Sequence, residues 1–252
     1  MKKTVLITGA TAGFGEACAR TFAKENWRII ITGRRGDRLR KLQNELEAEY
    51  QSEIQCLNFD VRNEQEVNEA IETLPPEWEN IDVLINNAGL AVGKGAFDEG
   101  LSDDWNRMID TNVKGLMFVT KALLPYLKKS SAAHIVNIGS IAGKEVYPGG
   151  NVYCASKHAV DALTKAMRID LLPYGIKVSQ IAPGAAETEF SLVRFKGDEE
   201  KAKAVYQGFD ALQAEDIAET VWFVVSRPDH VCLNDIIIMP KAQANSSTLL
   251  KK

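Results

Sequence analysis

The sequence predicts an α/β domain: a doubly wound parallel sheet of about seven strands with helices on both faces. Three observations carry this expectation. Short β-branched or apolar runs alternate with longer amphipathic stretches along the chain, the order that parallel strands with right-handed helical crossovers produce. The first run, Thr4-Val5-Leu6-Ile7-Thr8, leads directly into a glycine-rich turn and then a helix-forming stretch. The 252 residues contain no internal repeat and no low-complexity linker, so the alternation belongs to one domain, 1–252.

Taken in order, the second strand is expected over 28–32 and a helix from near Asp37. A strand at 54–58 and a helix at 64–74 follow, and Pro75-Pro76 ends that unit. The fourth strand is expected at 81–86. A long helical stretch covers 102–129, with a kink or restart near Pro125, where a backbone N–H is missing. Strand 133–139, helix 151–172, strand 176–182, helix 215–226 and strand 234–239 complete the pattern. Two segments stand outside it. Residues 184–213 mix Phe190, Leu192 and Phe195 with charges and are too long for a passive connection, which predicts a substrate lid. The Ser/Asn/Lys-rich tail, 242–252, is expected to be loose unless it docks on a partner subunit.

Composition excludes several function classes. The net charge is −4 and the basic residues are spread along the chain, which argues against a nucleic-acid surface. No apolar run reaches the ~20 residues needed to cross a bilayer, and Met1-Lys2-Lys3 runs into a strand without a signal-like apolar region. A cytoplasmic location without membrane contact is expected. Cys18, Cys56, Cys154 and Cys232 have no C-x-x-C spacing and read as reduced thiols. His134, His158 and His230 have no metal-ligand spacing, so no metal is expected.

The glycine turn is Gly9-Ala10-Thr11-Ala12-Gly13-Phe14-Gly15. Its spacing differs from G-x-G-x-x-G, but the physical logic is that of a Rossmann-type site. Glycines permit a tight turn and let backbone N–H groups at a helix N-terminus approach a pyrophosphate. After the second strand, an acidic residue would select NAD by accepting from a ribose hydroxyl. Here Gly33 takes that slot, with Arg34 and Arg35 behind it. Arginine suits a 2′-phosphate through charge-assisted bidentate bonds, so NADP(H) is expected. The alternative is that both arginines only solubilise a loop.

In such a sheet ligands bind beyond the carboxyl ends of the strands. The expected polar strand ends are Thr8-Gly9, Asp60-Val61, Asn86-Asn87-Ala88-Gly89, Ser140 and Pro183-Gly184, all on one edge. Tyr153 and Lys157 lie four apart on a helix and share a face. A nearby ammonium favours a phenolate, so the pair is expected to lower the Tyr153 pKa and to serve as a proton donor and acceptor for an alcohol or carbonyl.

Taken together, these strings resemble the short-chain dehydrogenase/reductase family over nearly the whole chain. They are Thr8-Gly9-x-x-x-Gly13-x-Gly15, Asn86-Asn87-Ala88-Gly89, Asn112, Ser140, Tyr153-x-x-x-Lys157 and Pro183-Gly184-x-x-x-Thr188. The resemblance implies a catalytic tetrad. Tyr153 would exchange the proton. Lys157 would lower its pKa and hold the nicotinamide ribose. Ser140 would hydrogen-bond the substrate oxygen, and Asn112 would anchor a water leading from Lys157. Thr188 would contact the nicotinamide end of the cofactor. It also implies a homotetramer, with which the consecutive apolar residues Leu116, Met117, Phe118 and Val119 agree.

Gly149-Gly150-Asn151-Val152-Tyr153 and the run from Thr188 to Asp198, with Val193-Arg194-Phe195 at its centre, are similar to the bacterial NADP-dependent 3-hydroxy acid dehydrogenases. That narrower resemblance implies hydride transfer at C3 of a small 3-hydroxy acid such as serine. Glu187 in Ala185-Ala186-Glu187 departs from the small residues expected after Pro183-Gly184. Arg194 is a candidate for the substrate carboxylate, or else for a lid ion pair with Glu187, Glu189 or Asp198. Tyr147 and Asn151 are further candidates to line the substrate pocket. A different carbonyl substrate (ketone, steroid or acyl thioester) and a non-catalytic NADP sensor are the competing readings. The intact Ser140, Tyr153 and Lys157 set argues against the sensor.

Overall fold

The computed structural model describes residues 2–252. Seven parallel strands form one sheet. They are β1 (Thr4–Ile7), β2 (Arg28–Gly33), β3 (Ile54–Asn58), β4 (Val83–Asn86), β5 (His134–Ile138), β6 (Lys177–Pro183) and β7 (Asp235–Ile238), in the order β3-β2-β1-β4-β5-β6-β7. The strand order reverses between β1 and β4, where Val5 pairs with Ile29 on one side and Val83 on the other. Connections leave toward opposite faces there and a crevice opens at the carboxyl ends.

The period of two along each strand fills two cores. Val5, Ile7, Ile29, Ile31, Val83 and Ile85 point to one face. They meet Phe22 of helix α1 (Gly13–Lys24), Leu39 and Leu46 of α2 (Gly36–Tyr50), and Val221 and Val224 from the helix after the lid. Leu6, Ile30 and Leu84 point the other way, toward Val67 and Ile71 of α3 (Glu64–Glu72). Both faces are buried, so the central strands read as continuous apolar runs.

The long helical stretch is interrupted, but not where expected. It divides into α4 (Ser102–Ile109), a π-helical turn (Asp110–Gly115) and α5 (Leu116–Leu127). Pro125 lies in the last turn of α5. The wide turn instead surrounds Asn112, whose amide is held by the backbone of Leu90. A tertiary contact, not the proline, sets the irregularity. The 20-residue α6 (Asn151–Asp170) carries Tyr153 and Lys157.

Residues 184–213 are a folded lid containing α7 (Glu189–Arg194) and α8 (Glu199–Ala204). Its two ends are zipped together: Glu187 N–H donates to the Leu212 carbonyl at 2.8 Å and Leu212 N–H to Ala185 at 3.1 Å. Helix α9 (Ala214–Val225) follows. The tail corrects the sequence expectation. It is not loose, and it docks on its own chain. Gln243 Oε1 accepts from Ala185 N–H at 2.7 Å, Ser246 N–H donates to Glu145 at 2.8 Å, and Lys252 N–H donates to the Gly208 carbonyl at 2.8 Å. The reason is long-range: the lid base and the loop before α6 supply partners that no local pattern announces. Among the described residues, no helix is long and apolar enough to cross a membrane.

Candidate active site

One cavity of about 610 Å³ runs along the carboxyl edge of the sheet, from the glycine turn to the lid. At one end, Gly9 and Gly13 have φ of +68° and +56°, a left-handed conformation that favours glycine. Gly15 answers a different need, since a Cβ there would collide with the Gly9 carbonyl. Asn87 braces this turn more than it faces a ligand. Its Nδ2 donates to the Thr8 and Gly9 carbonyls at 2.8 and 3.2 Å. Thr8 Oγ1 accepts from Asn87 N–H and Ala88 N–H at 3.0 and 2.9 Å. The ends of β1 and β4 are thereby locked in register beside the helix N-terminus that carries free N–H groups.

Thr11, Gly13, Phe14, Arg34, Arg35, Asp60, Val61, Ala88 and Gly89 all line this end. Arg35 donates to Thr11 Oγ1 from Nε and Nη2 at 3.1 and 2.7 Å. Its Nη1 donates to Glu189 of the lid at 3.0 Å, and Arg38 holds the other Glu189 oxygen at 2.7 Å. Arg34 is more exposed and stands 3.8 Å from Asp60. Asp60 is held below the usual carboxylate range, against its own burial, by Arg62 and more weakly by Arg34. The glycine cradle and the arginine cluster fit a dinucleotide whose ribose bears a phosphate.

Farther along, Ser140, Tyr153 and Lys157 converge from the end of β5 and from α6, all nearly buried. Burial pushes the Tyr153 phenol above its ordinary value, and the Ser140 hydroxyl opposes it. This differs from the expected effect of Lys157. The Lys157 ammonium donates to the Ile138 carbonyl at 2.9 Å, and burial pushes it down to about 8. Helical spacing put both residues on one face, but the strand end claims the ammonium and desolvation dominates the phenol. A buried neutral phenol with a hydroxyl beside it is a proton donor to a developing alkoxide.

Asn112 uses both of its amide hydrogens. Its Oδ1 accepts from Leu90 N–H at 2.8 Å, and its Nδ2 donates to the Leu90 carbonyl at 2.8 Å and to Ser156 at 2.9 Å. It therefore ties the π turn, the strand-end loop and α6 into one block. Pro183 and Gly184 line the cavity, and Thr188 both lines it and caps α7 by accepting from Phe190 N–H at 3.2 Å.

At the lid end, Arg194 donates to the Tyr147 hydroxyl at 3.0 Å, and its guanidinium lies 5.7 Å from the Tyr153 ring centre. It makes no ion pair with Glu187, Glu189 or Asp198. Phe190 packs 5.6 Å from Tyr153 between ring centres. Asn151 does not line the cavity; its Nδ2 turns to the Gly95 carbonyl at 3.4 Å. The exposed Glu187 does not line it either. Sequence reasoning missed Lys94, Phe190, Tyr206 and the tail residues Gln243, Ser246, Ser247 and Leu249, which all line the cavity. Phe190 had a signal, being an aromatic close to Thr188. The tail had none.

The model of the family described as short chain dehydrogenase matches residues 3–199. The chain belongs to that family. It is 46% identical over 241 residues to the NADP-dependent 3-hydroxy acid dehydrogenase YdfG of Escherichia coli (strain K12), covering 95% of this chain and 96% of that protein. It is likewise 46% identical over 248 residues to sulfoacetaldehyde reductase 2 of Chromohalobacter salexigens, covering 98% of each. Among solved structures, the closed form of serine dehydrogenase complexed with NADP⁺ superposes with a TM-score of 0.93. That protein is 44% identical, and the match covers 99% of both chains. This short-chain dehydrogenase is thus an oxidoreductase acting at a hydroxyl or carbonyl group, with a Rossmann-type sheet.

Proposed function

We propose that this enzyme uses NADP(H) to interconvert a small 3-hydroxy acid and its 3-oxo form, with substrates of the serine, allo-threonine, 3-hydroxypropionate or 3-hydroxyisobutyrate type. Arg194 carries the reading: a guanidinium with no acidic partner among the described residues, bonded to the neutral Tyr147 hydroxyl and close to Tyr153. An anionic substrate end would supply its counter-ion. The two relatives named for a 3-hydroxy acid and for serine, together with the arginines beside the glycine turn, support the same reading.

The cofactor, when bound, supplies or accepts the hydride. Thr11, Arg34 and Arg35 would hold its phosphate-bearing ribose, and the Gly9–Gly15 turn its pyrophosphate. Ser140 donates a hydrogen bond to the substrate oxygen, which stabilises developing negative charge. Tyr153 gives or takes the proton on that oxygen. Lys157 keeps positive charge near the phenol. Thr188 and Phe190 bring the lid against the reacting end and exclude water. We read the assembly as a cytoplasmic homotetramer. Ile169 and Leu172, each 73% exposed, and Met117, 42% exposed, are large apolar side chains for a partner subunit to cover.

The test separates charge from shape. Arg194→Ala should raise KM for 3-hydroxypropionate by about 10- to 100-fold, the loss of a charge-assisted bond, and leave 1,3-propanediol within about twofold. Equal losses on both would make Arg194 a structural residue of the lid.

A further inference from the structure

Lys94 lies in the loop after β4, between two glycines, and it lines the same cavity as Arg194, Tyr147, Ser140 and Tyr153. Three contacts fix its position. Gly93, with φ +73°, donates its N–H to the Arg194 carbonyl at 3.0 Å, so the lysine is tied to the C-terminal end of α7. The Gly95 carbonyl accepts from Asn151 at 3.4 Å, which ties it to the start of α6. The Lys94 stem packs on Gly149, where an added Cβ would come within 3.2 Å of its Cγ. Among the described residues Lys94 has no ion pair. Desolvation, and after it the Arg194 charge, push its ammonium below the ordinary value.

Two cations held near one another without a counter-ion repel. The acidic residues lining the cavity, Asp60 and Glu189, stand at the cofactor end, each with arginines of its own. The arrangement relaxes when an anion enters between Lys94 and Arg194. We infer that Lys94 is a second cation of the substrate site, sharing the substrate's anionic end with Arg194 and the Tyr147 hydroxyl, and that the site therefore selects for negative charge at that end. This rests on the proposed function for the class of substrate. It adds a residue from a separate loop, and a grading by charge: an end with two negative charges, such as a phosphonate, should depend on Lys94 more than a carboxylate does, and an uncharged end not at all.

The experiment uses the full-length enzyme with its cofactor in four forms: wild type, Lys94→Gln, Lys94→Arg and Arg194→Ala. Probes are 3-hydroxypropionate, 2-hydroxyethylphosphonate at a pH above its second ionisation, and 1,3-propanediol. Lys94→Gln should raise KM for the carboxylate about 3- to 10-fold and for the phosphonate by more, with kcat little changed and 1,3-propanediol within about twofold. The figure is smaller than for Arg194 because Lys94 is exposed and screened, whereas Arg194 is half-buried. Lys94→Arg should restore KM for both anions. An unchanged KM for the carboxylate in Lys94→Gln, in an enzyme where Arg194→Ala does raise it, overturns the role of Lys94 and spares the proposed function. A wild type that turns over the diol as well as either acid overturns both. Equal losses on anionic and neutral probes would make Lys94 a structural residue of its loop.

Discussion

The two ends of the cleft are built by different means. The pyrophosphate cradle at the cofactor end is made of backbone: positive-φ glycines, strand ends and a helix N-terminus, locked by Thr8 and Asn87. Its parts lie close in sequence to β1, β2 and β4. The substrate end is made of side chains from segments far apart: Lys94 after β4, Tyr147 before α6, Arg194 in the lid and Gln243 in the tail. The lesson is that a phosphate site common to many chains can be made of a short backbone motif. A site for one particular small molecule must gather side chains from several loops.

The largest expected effect falls where the two ends meet. Tyr153→Phe should bind cofactor normally but lose 10²- to 10⁴-fold in kcat, roughly the contribution of a general acid–base group. A variant retaining more than about a third of wild-type turnover would remove Tyr153 from proton transfer.

Lys157 offers a measurement on stability as well as on activity. Its pKa is depressed from 10.5 to about 8 by burial. The unfolded chain therefore binds more protons than the native one between about pH 8 and 10.5. This group's cost to stability is fully present below about pH 8 and fades as pH rises to the unfolded value. Lys157→Met should abolish turnover and yet stabilise the fold at about pH 7, by up to about 3 kcal/mol. The gain should shrink toward pH 10.5. Denaturant melts showing the same difference at about pH 7 and about pH 10 would contradict the buried-lysine account.

The cofactor end is probed next. Neutralising Arg34 and Arg35 together should weaken NADP(H) about tenfold or more and NAD(H) little, since a charge-assisted bond is worth about 1.5–3 kcal/mol. Glu189 holds Arg35 and Arg38, so Glu189→Gln should act in the opposite direction and tighten NADP(H) a few-fold. Titration calorimetry giving equal losses for both cofactors would break the assignment.

The smallest effect tests the substrate end as an assembly. Deleting residues 242–252 removes the bonds of Gln243 to Ala185 and of Ser246 to Glu145. KM for the acid should rise by a few-fold and the lid should become more open to proteolysis, about 1 kcal/mol per lost bond. Cofactor affinity should hold. A deletion that weakened cofactor and substrate alike would erase the contrast between the two ends.

Much of this was legible in the residues themselves. The seven strands, their order of appearance and the glycine turn follow from apolar runs and from glycine at positions where φ must be positive or backbone must touch backbone, as at Gly9 and Gly15. Tyr153 and Lys157 share a helix face because a helix repeats about every 3.6 residues. Each of these is a local rule, acting over a few positions. Tertiary structure alone decided the rest. The π turn forms at Asn112 because the Leu90 backbone meets it 22 residues away. The Lys157 ammonium goes to Ile138, and Tyr153 feels burial more than that charge. The tail lies on the lid, and Lys94 shares the cavity with Arg194, because the folded chain brings loops of unrelated sequence to one edge of the sheet. Contacts of that range are paid for by the core, and they leave no periodicity in the residues that make them.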